Sequence, residues 1–198
     1  MATWLTLVKR MPAAEALRIG SFNVVSIATT TGFAHGDYGS WGPFAVGIFF
    51  LLMFVGGCSG STTGGIKIYR LQVATLLTRG HLQHLISPSR IVPLMYNGRR
   101  LPDDVPFSVV AFLALYIATI GIFTVILAAM GLDLVTALSS ATAAVSNVGP
   151  GLGEIVGPAG NFSGLPPAAK WVLSFAMLLG RLELFTLLVL FRPEFWRG

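Results

Sequence analysis

The groups in this chain most suited to chemistry are backbone carbonyls. Glycine concentrates inside apolar sequence in three places: Thr29-Thr30-Thr31-Gly32-Phe33, the ten residues Gly56 to Gly65 with five glycines among them, and Ser146-Asn147-Val148-Gly149-Pro150-Gly151-Leu152-Gly153. Glycine adopts backbone angles closed to other residues and lets a carbonyl oxygen come close to its ligand. Extended backbone inside a bilayer is tolerated only where it is buried in protein or lines a water-filled path. Several such turns can aim carbonyls at one axis and replace the hydration shell of a cation. The side chains of Thr29, Thr30, Ser146 and Asn147 offer further oxygens. The plainer alternative is a pair of extramembrane turns that cap helices. The pore reading is favoured because both turns follow helices too short to span.

Other chemistries fall away on spacing. Gly60 and Gly65 bracket four residues as in a phosphate loop, but Ile66 stands where lysine is required and no hydroxyl follows Lys67. Neither Ser59 nor Ser61 sits in a nucleophile elbow. Cys58 is the only cysteine, so there is no disulfide framework or cysteine metal site. His35, His81 and His84 show no ligand spacing, and no acid–base pair emerges, so neither an enzyme nor a bound cofactor is expected. What remains of Gly56–Gly65 is a flexible, hydroxyl-rich segment at mid-membrane, expected to line an aqueous path as a gate. Arg181 and Glu183 lie 11 and 9 residues before Arg192. That is about 16 and 13 Å inward along a helix. Charges at such depth are costly and functional by default. Being two residues apart they diverge, one toward the path and the other toward a structural partner. Asn161-Phe162-Ser163 fits a glycosylation sequon with no secretory context, and Asp103-Asp104 reads as a solvated pair before a helix.

The elements that must carry these turns follow from hydropathy. The chain is 54% hydrophobic and 11% charged, and uncharged runs of 29 and 28 residues separate Asp37 from Lys67 and Asp104 from Asp133. Crossing a bilayer takes about 20 helical residues. Residues 13–28 predict a short helix ended by three threonines and a glycine. Pro43 to Val55 predicts a half-length helix that resumes from Ile66 to Leu77, one spanning element broken at the glycine loop. A basic connection follows at 80–104. Phe107 to Met130 predicts a full span, Leu134 to Val145 a second short helix, and Pro167 to Phe191 a second long one. Gly32 and Gly149 correspond at an offset of 117 residues, and short helix, glycine turn and long or broken helix recur at 13–79 and 134–191. Only the second copy has a helix ahead of it. Residues 1–12 read as a remnant, the start of an incomplete gene product or of a shortened chain. The excess of +5 charges comes largely from Lys67, Arg70, Arg79, Arg90, Arg99 and Arg100, all in one connection. It is a cytoplasmic topology signal rather than a nucleic-acid footprint.

Residues 26–33 and 55–67 closely resemble the third repeat of the Trk/Ktr/HKT superfamily of potassium transporters. The strings Asn147 to Gly153, Pro167-Ala168-Ala169-Lys170-Trp171 and Gly180-Arg181-Leu182-Glu183 resemble the fourth repeat and C-terminus of bacterial Trk membrane subunits. The resemblance implies an all-α transmembrane fold of helix–pore-helix–helix repeats about a pseudo-fourfold axis, with about one and a half of four present. The fourth repeat would occupy 105–198, with outer helix 107–130, pore helix 134–145, filter turn 146–153 and inner helix 167–191. It implies filter turns at Thr30, Thr31, Gly32 and Phe33 and at Asn147, Val148, Gly149 and Pro150. Carbonyls of Thr31, Gly32, Val148 and Gly149 would hold potassium as substrate. It also implies a gating loop at Gly56, Gly57, Gly60, Ser61, Thr62, Gly64 and Gly65, with Arg181 as the opposing pore charge. Such subunits sit as multi-pass homodimers in the bacterial inner membrane and dock a cytosolic nucleotide-binding regulatory ring. A sodium-linked transporter of the same superfamily, or a non-conducting fragment with an assembly or regulatory role, are the alternatives.

Overall fold

The computed structural model describes residues 1–87, 93–102, 104–182 and 195–196. They form α1 (Ala2–Val8), α2 (Ala13–Ala28), α3 (Pro43–Phe54), α4 (Ile68–Ile86), a hairpin of β1 (Met95–Tyr96) and β2 (Arg99–Arg100), α5 (Asp104–Ala129), α6 (Leu134–Val145), α7 (Gly153–Val156) and α8 (Pro167–Arg181). Among the described residues α5 is the one helix long and apolar enough to cross a membrane. Its 26 residues reach about 39 Å. The 12-residue helices α3 and α6 reach only about 18 Å.

Short helices at depth must be enclosed by other elements, and α6 is. Thr136, Ala137 and every residue from Ser139 to Val145 are buried. Helix α6 packs against α5 and α8 and touches α3. Its Ala, Ser and Thr side chains are small enough to let these neighbours come close. Asp133 caps its start, accepting from the Thr136 N–H at 3.0 Å, and hydrogen bonds from the Thr136 side chain and backbone hold the Asp133 carboxyl below its ordinary range. Helix α2 is less enclosed, with Leu17, Phe22 and Val25 exposed.

Two expectations are corrected here. Residues 2–8 form α1, whose fully buried Leu5 packs over Gly20 of α2. The first copy therefore does have a helix ahead of it. Four residues join α1 to α2, as four join α5 to α6. The basic connection does not begin at residue 80, because α4 runs on to Ile86; proline is absent until Pro88, so nothing stops the helix earlier. Within the connection, Asn97 and Gly98 both take positive φ (48° and 76°). That is the turn a two-residue hairpin requires. The hairpin folds back on α4, where Tyr96 meets Tyr69 edge-on at 5.1 Å and its hydroxyl donates to Gln72 at 3.0 Å. Glu183 and the expected continuation of α8 to Phe191 lie outside the described residues.

Candidate functional site

The two glycine turns share one backbone geometry. After α2, the N–H groups of Thr29, Thr30 and Thr31 donate to the carbonyls of Val25, Ile27 and Ser26. After α6, those of Ser146, Asn147 and Val148 donate to Thr142, Ala144 and Ala143. Each donor and acceptor is displaced by the same 117 positions. Thr30 and Asn147, again 117 apart, are both in the left-handed region (φ 54° and 53°), as are Gly32 (82°) and Gly149 (115°). A non-glycine residue there is uncommon. Finding one at the same place in both copies marks a turn whose shape is imposed.

The turns also touch. A side chain on Gly32 would collide with the Val148 carbonyl oxygen and lie 3.3 Å from its carbon. From the other side, a Cβ on Gly149 would lie 3.5 Å from the Gly32 α-carbon. Four carbonyl-bearing residues, Thr31, Gly32, Val148 and Gly149, are thus held side by side at the ends of two helices.

Beneath the second turn lies the interruption between α3 and α4. It is tied by Gly56 N–H to Ile66 O (2.8 Å) and Ile66 N–H to Phe54 O (2.8 Å), so the chain leaves α3 and returns to the same point. Inside the loop the Thr63 hydroxyl accepts from Gly57 N–H (2.8 Å) and meets Ser61 Oγ at 2.6 Å. Lys67 Nζ donates to Ser59 O at 3.0 Å, and the Arg181 guanidinium donates to Thr62 O. Gly64 lies against the end of α6: a Cβ there would collide with Ser146 O and lie 2.7 Å from its carbon. Gly180 of α8 presses in the same way on Val145. A cavity of about 220 Å³ lies between, lined by Ser61 to Gly65, Lys67, Arg70, Tyr116, Gly180 and Arg181 among others.

This arrangement of paired turns over a clamped loop has relatives. The profile of the TrkH family, described as a cation transport protein, matches residues 3–197. The chain belongs to the TrkH family. It is 54% identical over 186 residues to the Trk system potassium uptake protein TrkI of Halomonas elongata, covering 94% of this chain and 38% of that protein. It is 39% identical over 176 residues to TrkH of Escherichia coli K12, covering 89% and 36%. The crystal structure of the potassium transporter TrkH from Vibrio parahaemolyticus superposes with a TM-score of 0.88 at 37% identity, over 98% of this chain and 42% of that one. The chain thus spans about two fifths of the length of the relatives it matches. TrkH-family proteins are integral membrane transport proteins, not enzymes, and the helical fold agrees with theirs.

Within this family fold the structure commits several side chains that had been expected to face a path. Ser146 Oγ pairs with the buried Tyr116 hydroxyl at 2.6 Å. The Asn147 amide donates to Met177 O at 3.1 Å, tying the second turn to α8. Thr29 Oγ1 bonds back to Val25 O at 2.7 Å. Phe33 and Gly149 are exposed, while Val148 is buried. Past the first turn, Tyr38 buries its ring against Phe49 (4.2 Å). That burial, with Asp37 beside it, pushes the Tyr38 hydroxyl well above its usual pKa. Sequence reasoning missed Tyr116, Asn23 and Ser26, all of which hold turns in place. The available signal was polar residues on an otherwise apolar helix face: Asn23 and Ser26 follow Ala16 and Gly20 at helical spacing, and all four are buried.

Proposed function

We propose that this chain is part of a membrane subunit for potassium uptake, in the bacterial inner membrane, and that its two glycine turns are two of four that surround a filter. The observation that carries the reading is the duplicated turn, with matching left-handed residues and hydrogen bonds 117 positions apart and the two copies in contact. Carbonyls of Thr31, Gly32, Val148 and Gly149 would replace water around a dehydrated potassium ion, as neutral dipoles that bind without trapping. Residues Gly56 to Gly65 form the gate below, and Arg181 holds it closed by donating to Thr62 O, a cation placed against the route of other cations. The names of the Halomonas and Escherichia relatives, both potassium uptake proteins, support potassium as the substrate. A homodimer docked to a cytosolic nucleotide-binding regulatory subunit completes the reading.

The test is a full-length chimera in which these 198 residues replace the matching segment of the Halomonas elongata TrkI relative. It is expressed in a bacterium lacking its own potassium uptake. Growth at low potassium, and rubidium uptake with saturable kinetics, are the expected results. A chimera present in the membrane that supports neither would overturn the assignment.

A further inference from the structure

The two turns share a backbone but are not anchored alike. In the first, the fully buried Asn23 side chain accepts from the His35 N–H (2.9 Å) and donates to the His35 carbonyl (2.9 Å), with its second amide hydrogen on Ile19 O (3.0 Å). Every hydrogen-bonding group of that amide is used. One turn of helix later, Ser26 Oγ donates to Phe33 O at 2.6 Å, while Ser26 O accepts from the N–H groups of Thr31 and Gly32. The carbonyls of Thr31 and Gly32 are therefore bracketed, by Ser26 O before them and by Ser26 Oγ and Asn23 after them.

In the second turn both anchors change. Adding 117 to Asn23 and Ser26 gives Ser140 and Ala143. Ala143 has no hydroxyl to give. Ser140 Oγ is buried with no hydrogen-bond partner among the described residues. A single bond replaces the clamp, from Ser139 Oγ to Leu152 O at 3.1 Å. The exit of that turn is held instead by Gly151 N–H to Val156 O (2.7 Å).

We propose that Asn23 and Ser26 are positioning residues that set ion selectivity through the first turn, while the equivalent positions on α6 do not. This rests on the filter reading above. Selectivity by carbonyls depends on how firmly their positions and number are fixed. A turn bracketed by three side-chain hydrogen bonds holds its carbonyls for the larger ion; released, it collapses onto the smaller one.

In the full-length chimera, Asn23→Ser removes the two-way clamp and leaves a hydroxyl like that of Ser140. The expected result is a fall of about tenfold in potassium-over-sodium preference, the scale that one or two buried hydrogen bonds can enforce, with membrane abundance near that of the parent. Ser26→Ala should lower selectivity by a smaller factor, and Ser26→Thr, which keeps the hydroxyl, should restore it. Ser140→Ala, an equally buried change on α6, should leave selectivity where it was. A merely structural role would alter abundance and rate in parallel and leave the ion ratio unmoved. Unchanged selectivity in Asn23→Ser, or in Ser26→Ala if the former does not reach the membrane, overturns the proposal, as does an equal loss in Ser140→Ala. A parent chimera that transports without preferring potassium contradicts the filter reading itself, and the two failures are told apart by that parent measurement.

Discussion

Replacing Gly64 by alanine should open the gate. Gly64 needs no left-handed backbone, so the change acts through space alone. Its new Cβ would collide with Ser146 O and stand 2.7 Å from the Ser146 carbon and 3.1 Å from Asn147 Cβ. Carbon atoms rest at about 3.5–4.0 Å, so the loop must retreat from the end of α6 by about an ångström. The obstacle is helix backbone, fixed by Tyr116 on Ser146 and by Asn147 on α8, so the loop gives way. Overpacking of this kind costs about 1–3 kcal/mol. Charged against the docked loop only, that shifts the docked–undocked equilibrium by about 5–150-fold. The matched control is Gly60→Ala in the same loop, where a Cβ meets nothing within 4 Å. Initial rubidium uptake by the full-length chimera, normalised to protein in the membrane, is the assay. Gly64→Ala should exceed the parent several-fold and Gly60→Ala should match it. Equal rates in the two variants, or a lower rate in Gly64→Ala, would refute the idea that this contact holds the path shut.

Removing the Arg181 charge with Arg181→Gln deletes the guanidinium that donates to Thr62 O, and rubidium uptake should rise; an unchanged rate counts against the gate. Tyr116→Phe strips the partner from Ser146 Oγ inside the core, which should cost about 1–3 kcal/mol, visible as a lower melting temperature in detergent with no rise in uptake. Asp133→Ala removes the cap of α6 and should cost about 1 kcal/mol at pH 7. Because hydrogen bonds to Thr136 lower the folded carboxyl pKa, the stabilisation is full above the unfolded value near 3.9 and fades as pH falls through the folded one. The melting-temperature gap between parent and Asp133→Ala should therefore begin to narrow below about pH 4 and go on narrowing as pH falls through the lower folded pKa; a gap that stays constant over that descent would contradict the capping role.

Much of the frame was legible because helix length and glycine position are local properties. The helical segments at 13–28 and 134–145 are each too short for a bilayer, and each stops at a glycine-containing cluster of poor helix formers, so two half-helices ending in turns could be read directly. The hairpin at 95–100 has a local signal too, in Asn97-Gly98, which the reading of 80–104 as a basic connection did not use. What could not be read were contacts made across the repeats. Nothing in the string Asn147-Val148-Gly149 says that the Val148 carbonyl backs onto Gly32, or that Gly64 and Gly180 press on the end of the same helix. Ser146 and Asn147 offered polar side chains in sequence, yet the Tyr116 hydroxyl pairs with Ser146 Oγ and the Asn147 amide nitrogen donates to Met177 O, each partner about 30 residues away. Polar side chains beside a glycine turn suit either lining or support, and only packing decides between them.

The central claim is that the paired turns at Gly32 and Gly149 discriminate between ions. The most direct measurement is the potassium-to-sodium uptake ratio of the full-length chimera with Gly32→Val, whose side chain meets the Val148 carbonyl, beside the parent. The account predicts that the ratio collapses toward unity, or that uptake is lost, with the protein still present in the membrane. An unchanged flux and an unchanged ratio would contradict it.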